Sequence, residues 1–91
     1  MNPDFAGAHL NLGKNLSERG NREKAVFHYR EAIRINPNLA VAHYNLANIL
    51  HRQGDFREAV SHYRRALDIQ PDYREARYNL ELALERMGGR E

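Results

Sequence analysis

The sequence predicts an all-α protein, five antiparallel helices stacked as hairpins in an α-α solenoid, with all 91 residues in one domain. Its only three prolines, Pro3, Pro37 and Pro71, stand 34 residues apart, and Gly20, Gly54 and Gly88 mark the same step. Residues 3–36 laid on 37–70 give 15 identities in 34 pairs, among them His9/His43, Leu12/Leu46, Leu16/Leu50, Ala25/Ala59, Tyr29/Tyr63 and Ala32/Ala66. The turn signals between apolar segments span only a few residues, and connections that short force each helix back against its predecessor. Such a period has to be found first, because a missed repeat mis-assigns the whole fold.

The first repeat, about 4–37, opens with a helix over 4–19, capped by Asp4 and closed by Gly20, which takes a left-handed C′ conformation without a Cβ penalty. Asn21 caps a second helix over 22–35, and Asn36-Pro37 forbids its continuation. The second repeat, about 38–71, has the same order: Asn38 caps a helix over 38–53, Gly54 ends it, Asp55 caps 56–69, and Gln70-Pro71 stops the chain. A third copy begins at Pro71, is capped by Asp72 and supplies one helix over 72–87 that keeps Ala76, Asn79, Leu80 and Leu84 in register. It departs at Glu81, which stands where Gly13 and Ala47 stand, so a following helix cannot dock closely there. With Arg74, Glu75, Arg77, Glu85 and Arg86 on its outer side, this helix reads as a solvating cap. At the other end, Asn2-Pro3-Asp4-Phe5 resembles the junction Asn36-Pro37-Asn38-Leu39. Either the chain is a fragment or designed piece of a longer array, or Phe5, Ala8 and Leu12 lack a preceding repeat to cover them, and a homo-oligomer through this N-terminal face is then expected.

Composition narrows the function classes. With 42% hydrophobic and 29% charged residues, the chain is an ordinary globular one. Without cysteine it has neither a disulfide framework nor a thiolate metal site. The formal charge of +2, from 14 basic against 12 acidic residues, is no polycationic patch for nucleic acid or anionic lipid. Met1 to Leu12 has no basic segment followed by an apolar run, and no stretch reaches the length of a membrane span, so a soluble chain, cytoplasmic by default, is expected.

Small and large residues recur at fixed places: Leu12, Gly13, Leu16, Gly20, Ala25, Tyr29, Ala32 and Pro37, then Leu46, Ala47, Leu50, Gly54, Ala59, Tyr63, Ala66 and Pro71. This pattern resembles the tetratricopeptide repeat (TPR) family over essentially the whole chain. Physically, Gly13 or Ala47 lets Ala25 or Ala59 approach closely while leucines and tyrosines fill the gaps. The resemblance implies a right-handed superhelix, with the first helix of each repeat lining a concave side, and a scaffold that binds a protein or extended peptide.

On those first helices Val41, Asn45, Asn48 and Arg52 share one face, as do Gly7, Asn11, Lys14 and Glu18, and then Glu75, Asn79, Leu82 and Arg86. Asn11, Asn45 and Asn79 put one asparagine at the same place in every copy, at a cost of roughly half a kcal/mol each relative to alanine. A carboxamide offers donor and acceptor together and matches a peptide bond. The segment Ala42-His43-Tyr44-Asn45-Leu46-Ala47 resembles the superhelical repeats of O-linked N-acetylglucosamine transferases, whose asparagine ladder grips peptide backbones; kinesin light chains carry similar ladders. The expected groove is therefore Asn11, Asn45, Asn79, Lys14, Asn48 and Arg52, with Tyr44 and Tyr78 at its edge and all three ladder carboxamides free of intramolecular partners. The alternative is that the asparagines are solvated residues copied by duplication. The carboxylate clamp of chaperone-binding tetratricopeptide domains fits poorly, since Leu10, Glu75 and Asn79 occupy three of its cationic places and Asn45 alone matches.

The five histidines read as packing residues, because no helix carries two at a spacing of 3 or 4. Gly88-Gly89 follows a helix instead of preceding one and cradles no phosphate. No nucleophile–base or paired-carboxylate arrangement stands out. The expectation is a non-catalytic module with no cofactor and no metal.

Overall fold

A computed structural model describes residues 5–88 and contains five helices: α1 (Phe5–Glu18), α2 (Arg22–Ile35), α3 (Ala40–Arg52), α4 (Phe56–Ile69) and α5 (Arg74–Arg86). No strand occurs among the described residues. The proposed Asp4 cap, the Asn2-Pro3 junction and Gly89 lie outside them. The hairpins α1–α2 and α3–α4 are the main packing units, α2 leans on α3, and α5 packs on α4 and touches α3. The envelope of 51 × 28 × 18 Å is that of a short stack.

The turns within each hairpin follow from glycine. Gly20 and Gly54 take φ of +82° and +86°. Each closes a Schellman turn: Gly20 N–H donates to the Ser17 carbonyl and Asn21 N–H to the Leu16 carbonyl, and Gly54 and Asp55 repeat this onto His51 and Leu50. Asn21 and Asp55 occupy N-cap positions but make no side-chain cap hydrogen bond. The turns between repeats correct the expected starts of two helices. α3 and α5 begin two residues later than their asparagine and aspartate suggest, with Leu39 and Tyr73 at the N-cap. The Asn38 N–H instead donates to Asn36 Oδ1 at 3.1 Å inside the turn, and the Leu39 carbonyl accepts from Ala42 and His43. Both replacement caps are half-buried; Tyr73 packs against Tyr44 with ring centroids 4.9 Å apart and planes tilted by 36°. Here packing of an apolar residue outweighs the gain from a polar cap, worth about 1 kcal/mol.

The core is centred on the second repeat, where Tyr63, Leu46 and Ile49 are fully buried. Ala25, Ala32, Ala59, Ala66, Ala76 and Ala83 are inaccessible and let the helices approach. At Gly13 the room is taken by Tyr29: a Cβ there would lie 2.7 Å from the tyrosine ring. Tyr29 and Tyr63 are core residues, as expected. No helix among the described residues is long and apolar enough to cross a membrane.

Candidate functional site

Where α3, α4 and α5 meet, they leave an open pocket of about 320 Å³ lined by Tyr44, Asn48, His51, Arg52, Tyr63 and Asn79. On α3, Tyr44, Asn48 and His51/Arg52 follow at steps of 4, 3 and 4 and so share one face. α4 contributes Tyr63 as the floor and α5 brings Asn79 up beside it. A hydrogen-bond network joins these groups. The Tyr63 hydroxyl donates to Asn48 Oδ1 at 2.6 Å, and Asn79 Nδ2 donates to the same oxygen at 3.0 Å and to the Tyr44 hydroxyl oxygen at 3.3 Å. His51 Nδ1 lies 3.4 Å from the Tyr63 hydroxyl.

Electrostatics follow from that geometry. Burial, with Tyr44 close by, pushes the Tyr63 phenol far above its ordinary value, against the pull of Asn79 and Arg52. Burial, then the charges of Arg86 and Arg52, hold the His51 imidazole below its usual range. Burial and then Glu18 raise Tyr29, the equivalent of Tyr63, to about 12, and the Asn45 carboxamide acts on its hydroxyl in the opposite sense. The asparagine of each following repeat therefore attends the tyrosine of the repeat before it.

This places the expected site residues unequally. Tyr44, Asn48, Arg52 and Asn79 come together; Asn45 is half-buried beside Tyr29. Asn11 and Lys14 are exposed on α1, and Tyr78, 64% exposed, stands away from the pocket. The expectation that all three ladder carboxamides lack intramolecular partners is corrected at Asn45, whose carboxamide hydrogen-bonds Tyr29, and at Asn79, whose Nδ2 is engaged because α5 lies close enough to α3 to bring it onto Asn48 and Tyr44. Asn11 has no hydrogen-bond partner among the described residues. His51 and Tyr63 were assigned to packing by sequence reasoning. The signal for His51 is its place one turn beyond Asn48; for Tyr63 there is none, since its ring is core and only its hydroxyl reaches the pocket.

The remaining histidines pair across the hairpins. His9 and His28 bring Nδ1 to Nδ1 at 2.9 Å, and His43 and His62 at 3.0 Å, with rings stacked in both. Each pair bridges 19 residues, so counting along single helices misses it. Among the described residues no three His, Cys, Asp or Glu converge as metal ligands.

Comparison with known proteins agrees with the architecture. The sequence profile of the tetratricopeptide repeat matches residues 40–73, and one described as a TPR repeat matches 15–54. No curated protein matches by sequence at a significant level. Among solved structures, the crystal structure of MamA protein superposes with a TM-score of 0.88 at 26% identity, over 91% of this chain. This chain spans 45% of that one. The N-terminal domain of stress-induced protein-1 (STI-1) from C. elegans superposes with a TM-score of 0.83 at 23% identity, over 97% of this chain and 76% of its own. Repeats of this kind mediate interactions between proteins. Register, hairpin geometry and both profile matches place the chain in the tetratricopeptide repeat family.

Proposed function

We propose that the protein is a non-catalytic scaffold that holds an extended peptide or protein segment along the concave face lined by α1, α3 and α5. Asn11, Asn45 and Asn79 contact the ligand backbone, Lys14, Asn48 and Arg52 flank it, and Tyr44 and Tyr78 border it. The observation that carries this reading is the pocket between α3 and α5, polar and open, on the side of the helices that bears the asparagines. Engagement of Asn79 Nδ2 leaves its Oδ1 as an acceptor, and fixes the side chain in advance. With each hydrogen bond contributing only about 0.5–1.5 kcal/mol net and three helices offering a small surface, affinity on the order of micromolar is expected. A random-peptide array probed with the wild type and with Asn45→Ala tests this directly. Peptides that bind the wild type and lose binding in the variant support it; an unchanged pattern of bound peptides refutes it.

A second reading, self-assembly, draws on α1, where Phe5 is 57% and Leu12 46% exposed. An exposed apolar face of that kind favours association with another copy. Light scattering that stays monomeric to high concentration would count against it.

A further inference from the structure

We infer that the α3–α5 end of this groove is an anion site, which receives a carboxylate or phosphate group of the bound segment and so sets the segment's direction. This rests on the peptide-binding reading and specifies what the ligand must carry. The first argument is the polarity of the hydrogen-bond network. Asn48 Oδ1 already accepts from both the Tyr63 hydroxyl and Asn79 Nδ2, and the Tyr44 hydroxyl oxygen accepts from Asn79 Nδ2. What remains unspent at the rim includes two donors, the Asn48 amide and the Tyr44 O–H, beside the Asn79 Oδ1 acceptor.

The second argument is charge. Arg52 lines the pocket, and Arg86 is held over the Phe56 ring at 5.1 Å from its centroid. Neither guanidinium has an ion-pair partner among the described residues, whereas Arg30 and Arg34 both do. Both unpaired charges reach His51. The site thus joins one planar, multidentate cation without an ion-pair partner, Arg52, to neutral donors around the cavity, with the Arg86 charge held nearby on Phe56, the chemistry that selects oxyanions.

The third argument is the comparison inside the chain. One repeat earlier, Glu18 stands in the place of Arg52 and Ser17 in the place of His51, and the tyrosine below feels the carboxylate of Glu18. On the α1 face Glu18 is accompanied one turn away by Lys14, in the place of Asn48, so the charges there balance, whereas the α3–α5 pocket is lined by Arg52 with no carboxylate beside it among the described lining residues. A ligand with one anionic group has a single favourable polarity along the helices, with its anion next to Arg52.

Titration with inorganic phosphate, followed by NMR of the side-chain N–H groups, tests the site without knowledge of the natural ligand. Saturable shifts at the Arg52 and Arg86 guanidinium N–H and the Asn48 amide are expected, with half-saturation on the order of millimolar. Arg52→Glu should weaken them about tenfold or more, whereas Arg57→Glu, which makes the same change in net charge outside the pocket, should leave them. Equal shifts with chloride at matched ionic strength, or equal weakening by both variants, would overturn the proposal. Amidated peptides selected from the array, each with one Glu, the same with Gln, or with phosphoserine, and the Gln peptide with a free C-terminus, then identify the source of the anion. Preference for any anionic form that Arg52→Glu abolishes supports the site. Neutral peptides that bind as tightly, and still lose binding in Asn45→Ala, would sink the anion site while leaving the peptide-binding scaffold standing.

Discussion

Acidification should loosen the second hairpin through His43 and His62. His43 Nε2 lies 3.0 Å from the Pro37 carbonyl, which can only accept, so that nitrogen carries the proton and Nδ1 is left to accept from His62 Nδ1–H. One further proton fits on His62 Nε2, 3.5 Å from the Glu58 carboxylate. A second has only His43 Nδ1 to occupy and would set N–H against N–H across a 3.0 Å contact. Burial is the main cause that holds both imidazoles below their ordinary range. Arg65 acts the same way on His43, as do the His43 ring and Arg30 on His62, while the Pro37 carbonyl and Glu58 oppose. A base whose folded pKa is depressed binds fewer protons folded than unfolded. Stability is therefore full above about pH 6.5 and declines as the pH falls through that value. For the one imidazole that must stay neutral, the loss between about pH 7 and pH 5.5 is about 1.2 kcal/mol. Urea unfolding at both pH values, in the wild type and in His43→Leu/His62→Leu, measures it; the double variant removes both polar partners and orphans neither. The wild type should lose about 1 kcal/mol more than the variant, with His51 common to both chains. Equal losses in the two would refute the reasoning.

Asn79→Ala should destabilise the protein by about 1–2 kcal/mol in urea unfolding because two hydrogen bonds disappear, whereas Asn11→Ala should be neutral or stabilising by about 0.5 kcal/mol, the helix-propensity difference alone. Gly54→Ala forces a Cβ into φ +86° with no neighbour to relieve or worsen it, and should cost about 1 kcal/mol in thermal unfolding. Gly13→Val places branched carbons inside the Tyr29 ring and should cost at least about 2 kcal/mol by the same assay. Arg30→Ala removes an exposed ion pair to Glu58 at 2.7 Å, and its cost, about 0.5 kcal/mol, should vanish at high salt.

Much of the fold was legible because the repeat states it twice. Pro37 and Pro71, Gly20 and Gly54 set the helices to within two residues, and the small-residue positions named the core. The errors fall where local chemistry competes with packing. Asn38 is a better cap than Leu39 by propensity, but the turn needs Asn36 to hold the Asn38 N–H and Leu39 to bury its side chain. The site was legible as a face and illegible as a network. Steps of 4 put Tyr44, Asn48 and Arg52 together, but nothing in the chain's order says that α5 comes near enough to spend the Asn79 Nδ2 on Asn48. The histidine pairs were legible in principle, since 9 to 28 and 43 to 62 are the same separation. Ligand spacing within single helices does not reveal them, because each pair spans a turn between two helices.

The concentration of burial in α3 and α4 sets the order in which the chain comes apart. Tyr63, Leu46 and Ile49 are fully buried between neighbouring helices, whereas among the described residues α1 packs chiefly on α2 and α5 chiefly on α4. In a linear array each unit is stabilised by its neighbours, so terminal units open at lower free energy than the middle one. Amide exchange should accordingly be fastest in α1, intermediate in α5 and slowest in α3 and α4, where it approaches the global unfolding limit. The residues that line the pocket from α3 and α4 thus sit in the last part of the molecule to melt, and Asn79, on a helix that frays sooner, is the member whose position depends on the ends staying closed.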